Sequence, residues 1–165
     1  AKHATELLLA SLHTIQNQLD HTSLRLGTLA GGAPGLVGKD FVSKMVASAL
    51  KGNALTVYGG KQRVERLDVR DAASAIVQVL EHDASIKSPL YNLGPENTHS
   101  LLYVAEKVVD HVARRTNSEP VDIHIEEQSQ ENAYTGLDSS LFYSDFGWSP
   151  EYTIDDTIVS LIKHF

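Results

Sequence analysis

The chain has 165 residues, enough for one domain with a hydrophobic core, and 42% of them are apolar, a globular composition. Its formal charge is -7 and its 14 basic residues are scattered, which argues against a nucleic-acid phosphate backbone as partner. No cysteine occurs, so disulfides, thiolate metal sites and a cysteine nucleophile are excluded, and a reducing compartment, by default the cytoplasm, is the expectation.

The longest apolar run, residues 7–10, is too short to cross a bilayer, and no export signal opens the sequence, so no membrane partner is expected. The sequence starts at Ala1, in what reads as the first turn of a helix, which points to a piece of something longer. That helix is expected over 2–19, because Leu8, Leu12, Ile15 and Leu19 recur at spacings of three and four, widened by Leu7 and Leu9, as one buried stripe. A strand follows over 23–30, with Leu24, Leu26 and Leu29, ended by Gly31-Gly32 and a turn at 33–35. The next helix, 39–50, puts Phe41, Val42, Met45, Val46 and Ala49 on one side and stops at Gly52-Asn53.

A short strand at 55–58 leads to the Gly59-Gly60 turn. Residues 66–70 read as extended, and Asp71 is the expected cap of a helix over 72–81. A strand at 90–93 ends at Gly94-Pro95, and Ser100 caps a helix over 101–114 whose last turn carries Arg114 and Arg115, the charge that suits a helix carboxy terminus. A strand at 121–125, a polar loop at 126–136 and helices at 138–146 and 155–165 complete the chain. Strands alternating with helices imply an α/β fold with a parallel sheet. The strands at 24–29 and 90–93 are the two expected to be fully buried, too few for a covered parallel sheet, so further strands are expected outside the sequence.

The order of these motifs resembles the extended short-chain dehydrogenase/reductase family, in its NAD-dependent nucleotide-sugar epimerase/dehydratase branch, over almost the whole chain. The resemblance rests on Ala1-Lys2-His3-Ala4-Thr5-Glu6-Leu7-Leu8, Leu24-Arg25-Leu26-Gly27-Thr28, Leu55-Thr56-Val57-Tyr58-Gly59-Gly60 and Val69-Arg70-Asp71-Ala72-Ala73-Ser74-Ala75-Ile76. Tyr91-Asn92-Leu93-Gly94 and Phe146-Gly147-Trp148-Ser149-Pro150 continue the same order. The resemblance implies the carboxy-terminal half of such an enzyme, similar to UDP-glucose 4-epimerase: the last strands and helices of a partial Rossmann-like parallel sheet, plus a small α/β substrate-binding subdomain. Residues 1–30 and 66–94 would complete the Rossmann-like domain, and 31–65 and 95–165 would form the subdomain.

By the same resemblance Lys2 is the family's catalytic lysine. It lowers the proton affinity of a tyrosine four residues earlier, which here would precede Ala1, and binds the nicotinamide ribose of NAD. Leu26 is implied to contact the cofactor. Thr28, Tyr58, Arg63 and Arg66 are implied to contact a nucleotide-sugar substrate, Tyr58 by its ring against the base and an arginine by its fork on the diphosphate. Counting back from Asp71 puts Val64, not Arg63, in the usual arginine register. Thr28 replaces an asparagine, and residues 127–131, Glu-Gln-Ser-Gln-Glu, replace a second arginine segment; these departures weaken diphosphate binding.

The glycine-rich turn that receives a dinucleotide pyrophosphate does not occur, since Gly31-Gly32 and Gly59-Gly60 lack its spacing. The chain is therefore expected to be inactive alone and not to bind NAD tightly. The eight histidines show no metal-ligand spacing, so no metal is expected, and His124 is expected to be exposed. A homodimer through the first helix, a non-catalytic binding or self-assembly module and a deoxysugar ketoreductase are the further readings.

Overall fold

In a computed structural model of the chain, structure is described for residues 2–16, 21–32, 35, 37–82, 88–127 and 136–165. Among the described residues six helices and eight short strands follow in the order α1 (Lys2–Gln16), β1 (Ser23–Leu26), β2 (Leu29–Ala30), α2 (Phe41–Leu50), β3 (Leu55–Tyr58), β4 (Arg63–Val64), β5 (Leu67–Asp68), α3 (Val69–Leu80), β6 (Leu90–Leu93), β7 (His99–Ser100), α4 (Leu101–Thr116), β8 (Ile123–Glu126), α5 (Ser140–Phe146) and α6 (Ile154–His164). The fold is α/β. Among the described residues β1 pairs with β6, β2 with β5 and β3 with β8, all parallel, while β4 and β7 pair antiparallel.

Two cores hold these elements. One joins α2, β3, α4 and α6 through Val42, Val46, Leu55, Val57, Val104, Val108, Ile158 and Leu161, with Ile123 of β8 at its edge. The apolar residues expected on one side of α2 all belong to this core or pack against it. The second joins β5, α3, β6 and α5 through Leu67, Ala75, Tyr91, Leu93, Phe142 and Phe146. Its aromatic rings meet edge-on: Tyr91 lies 5.7 Å from Phe142 and 5.2 Å from Phe146, centroid to centroid.

Helix ends follow local chemistry. Asp40 accepts from Val42 and Ser43 N–H at the start of α2, and Ser100 accepts from Tyr103 N–H at the start of α4. Thr153 and Asp156 form a reciprocal capping box on α6. Past α2, Gly52 takes the positive φ of 74° expected where a helix stops. Past α4, Asn117 takes the left-handed conformation.

Five expectations are corrected. The apolar stripe of α1 is not buried: Leu8 is 59% and Ile15 77% exposed, Leu7 is exposed as well, and only Leu9 and Leu12 are half-buried. Periodicity marks an apolar face but not what covers it. Leu19 and the turn residues Ala33 and Pro34 lie outside the described residues.

The strand expected over 23–30 breaks at Gly27-Thr28, because the chain changes partner there. Gly27 N–H donates to Leu93 O of β6, whereas the Thr28 carbonyl accepts from Leu67 N–H at β5. The strand is also not fully buried, since Leu24 is half-covered and Leu26 is 39% exposed.

The cap of α3 is Asp68, not Asp71. The helix begins at Val69, Asp68 accepts from Arg70 N–H, and Asp71 lies buried in the first turn, accepting instead from Glu151 and Tyr152 N–H at 2.9 and 3.2 Å. Both aspartates suit the role chemically, and the tertiary partners of Asp71 decide. The last strand is displaced by two residues from its expected start, to Ile123–Glu126, because its pairing with β3 begins only where Ile123 meets Leu55. His124 is exposed. No helix among the described residues is long and apolar enough to cross a membrane.

Candidate active-site groove and substrate cleft

The residues implied for catalysis and cofactor contact come together. Lys2, on the first turn of α1, and Leu26, at the carboxyl end of β1, line one groove of about 810 Å³ between that helix and strand, with Thr5, Glu6, Leu9 and Arg25. A fork-to-fork ion pair braces it: Arg25 Nε donates to Glu6 Oε1 at 3.0 Å and Nη2 to Oε2 at 2.7 Å, and the Arg25 bonds with those of His3 hold the Glu6 carboxyl down near the bottom of the carboxylate range, at about 2. The pair is solvent-exposed, so it orients more than it stabilises.

At the carboxyl ends of β1 and β6, where open parallel sheets receive ligands, a polar cluster closes on Gly27 and Gly94. The buried Glu65 carboxylate accepts from Leu137 N–H at 2.9 Å. A Cβ on Gly27 would lie 2.7 Å from Glu65 Oε1, so only glycine leaves room for that carboxylate. Ser139 Oγ accepts from Gly94 N–H at 2.8 Å, and Tyr143 O–H donates to the Gly94 carbonyl at 2.7 Å; burial pushes the Tyr143 pKa up to about 12. This cluster fastens residues 137–143 to the sheet.

A second concavity of about 340 Å³ lies between the segments after β6 and before α6. Arg66 lines it and stacks its guanidinium 4.0 Å from the Phe41 centroid. Burial pushes the Arg66 pKa down, with the Asp40 and Glu65 charges opposing. His99 and Tyr103, also in the lining, stack with centroids 5.0 Å apart and planes at 16°. Burial, then the nearby Arg63 charge, lowers the His99 pKa, so that the ring is neutral at physiological pH.

The remaining implied substrate residues are not gathered there. Thr28 and Arg63 are exposed, and Arg63 is committed to the loop before β7, donating from Nε to Thr98 Oγ1 at 2.7 Å and from Nη2 to the Thr98 carbonyl. Tyr58 is 55% exposed at the end of β3, and Val64 is half-buried in β4. Glu127 is exposed, and the rest of the segment expected to lack a phosphate-binding arginine, 128–131, lies outside the described residues.

A dinucleotide also needs open amides for its pyrophosphate. The amino ends of α2, α3, α4 and α6 are closed by Asp40, Asp68, Ser100 and Thr153, so none of these four offers them. These four helix ends therefore do not suit the pyrophosphate of such a cofactor.

Sequence reasoning missed Glu65, Asp68, His99, Tyr103 and Tyr143. A run of alternating acids and bases at 63–71 was the available signal for the first two. The aromatic residues had none, because bringing His99 and Tyr103 beside Arg66 depends on β7 pairing with β4, and placing Tyr143 depends on its bond to the Gly94 carbonyl.

Comparison with known proteins decides the family. The NAD dependent epimerase/dehydratase family matches residues 1–94, more than half of the chain. The chain belongs to this family. No curated protein matches the sequence. Among solved structures, the chain is similar to UDP-N-acetylglucosamine 4-epimerase from Bacillus cereus, at 17% identity and a TM-score of 0.79 over 98% of this chain and 51% of that one. It is similar to the UDP-glucose 4-epimerase of Thermotoga maritima solved with UDP-glucose, at 16% identity and a TM-score of 0.77 over 99% of this chain and 51% of that one. A third is dTDP-glucose 4,6-dehydratase from Bacillus anthracis in complex with NAD, at 24% identity and a TM-score of 0.74 over 98% and 48% of the two chains. At these identities the likeness establishes the fold, and the chain spans about half the length of these relatives.

Proposed function

We propose that this chain is the carboxy-terminal, substrate-binding part of an NAD-dependent nucleotide-sugar epimerase or dehydratase, inactive alone. The observation that carries the reading is the meeting of Lys2 and Leu26 in one groove, within the stretch that matches the family. In this reading residues 1–30 and 66–94 complete a Rossmann-like domain, and 31–65 and 95–165 form the substrate subdomain, with α5 packed back onto the second core. NAD, when bound, would accept a hydride from the sugar. Lys2 would hold the nicotinamide ribose and lower the proton affinity of a tyrosine outside this sequence, and Leu26 would pack on the nicotinamide side. Thr28, Tyr58, Arg63 and Arg66 would contact the nucleotide-sugar. The absence of cysteine suits a cytoplasmic enzyme.

The exposed Leu7, Leu8 and Ile15 support a homodimer through α1, and they equally favour the second reading, a non-catalytic self-assembly module. Titration calorimetry of the chain with NAD and with UDP- and dTDP-sugars tests the proposal. A nucleotide-sugar that binds while NAD binds weakly supports it; NAD binding at micromolar affinity, or no response to any nucleotide-sugar, refutes it.

A further inference from the structure

The cleft beside Arg66 has a chemistry of its own. Three carboxylates and one guanidinium line it: Glu96, Glu151, Asp155 and Arg66. Asp155 is already answered, since His111 Nε2 lies 2.7 Å and Lys107 Nζ 3.1 Å from its Oδ1. Glu96 and Glu151 have no ion-pair partner among the described residues. Arg66 has no carboxylate bonded to it either. It donates from Nη1 to the Glu65 carbonyl, and its buried Nε has no hydrogen-bond partner among the described residues. Beside these groups stands the stacked His99–Tyr103 pair.

We infer that this cleft is a site for one uncharged sugar ring, held without a phosphate. Hydroxyl groups suit both kinds of partner at once, donating to the open Glu96 and Glu151 carboxylates and offering oxygen lone pairs to Arg66. The apolar face of a pyranose suits the flat, neutral His99–Tyr103 platform, and a cleft of about 340 Å³ admits a single ring. A diphosphate fails on charge, because its anionic oxygens would enter beside two unpaired carboxylates with one partly engaged guanidinium to answer them. An ammonium ligand fails on hydrogen bonding, since it leaves the Arg66 donors without an acceptor. Arg66, a nucleotide-sugar contact in the proposed function, then meets a sugar ring and not the diphosphate. The inference rests on the cleft and is independent of the cofactor groove.

The test is NMR of the whole chain, following the ring resonances of His99 and Tyr103 while adding methyl glucopyranoside, methyl galactopyranoside or inorganic pyrophosphate. At least one glycoside is expected to shift both rings saturably, while pyrophosphate leaves them in place. Tyr103→Ala, on the exposed rim of α4, is expected to weaken that binding about tenfold or more, and Glu96→Gln, on an exposed loop, about threefold or more. Rings that ignore both glycosides, rings that follow pyrophosphate instead, or glycoside binding unchanged in both variants would overturn the site. Those failures leave the proposed function standing if UDP- or dTDP-sugars still bind the chain; loss of nucleotide-sugar binding with intact glycoside shifts sinks that reading and keeps this one.

Discussion

Replacing Asp68 by alanine tests whether one buried carboxylate joins the two halves of the structure. Asp68 is buried at the start of α3 and does three things: it caps Arg70 N–H at 2.9 Å, pairs with the Arg70 side chain at 2.8 and 2.9 Å, and accepts from Thr157 O–H of α6 at 2.7 Å. Loss of the cap costs about 1 kcal/mol. The hydrogen bond from buried Thr157 to a charged acceptor contributes about 1.5–3 kcal/mol. The Arg70 pair adds roughly 0–1 kcal/mol, because the guanidinium is exposed enough to turn to water. The total is about 2.5–5 kcal/mol, read as a lowered urea midpoint at unchanged slope. Combining Asp68→Ala with Thr157→Val should cost less than the sum of the two by about 1 kcal/mol or more. A loss below about 1 kcal/mol, or strict additivity, would refute the bridging role.

The same residue fixes the sign of a pH effect. Burial opposes ionisation of Asp68, but its bonds to Arg70 and Thr157 outweigh this and hold its pKa below the ordinary 3.8. Its contribution is therefore complete above that value and lost as pH falls through the folded pKa, so Asp68→Ala should lose less stability on acidification than the parent chain.

Gly32→Ala should cost about 1–3 kcal/mol in thermal or urea unfolding, because the added Cβ would lie 2.5 Å from the Ser160 carbonyl of α6 and against the His164 ring; an unchanged midpoint would show that this contact gives way freely. Tyr91→Phe removes a buried hydroxyl that donates to Asp145 at 2.8 Å and accepts from Ser88 N–H, and about 1–2 kcal/mol should be lost with the β1–β6 pairing intact by circular dichroism. If α1 forms the homodimer interface, sedimentation of the Leu8→Glu, Ile15→Glu double variant should give a monomer under conditions where the parent chain associates; a parent chain that is monomeric at high concentration refutes that role for the helix.

Much of the architecture was legible because the elements obey local rules. The spacing of Val42, Val46 and Ala49 set the buried side of α2, Ser100 set the start of α4, and the strands Leu55–Tyr58 and Leu90–Leu93 are bounded by the turn residues around them. The groove at Lys2 and Leu26 was legible only by resemblance, since nothing in the spacing of two residues so far apart joins them. The clustering of Arg66 with His99 and Tyr103 was not legible at all. It depends on the antiparallel pairing of Arg63–Val64 with His99–Ser100, two residues to a strand, which carries too little periodicity to read.

Local sequence thus determined where helices begin and end, which faces are apolar and the parallel α/β character, because propensity, capping and burial periodicity act within a few residues. Tertiary structure alone decided which of two aspartates caps α3, where the first strand breaks and whether the apolar face of α1 is covered. Each of those outcomes turns on a partner distant in sequence: Glu151 and Tyr152 for Asp71, Leu67 and Leu93 for the strand, and for α1 the lack of any described element over Leu8 and Ile15.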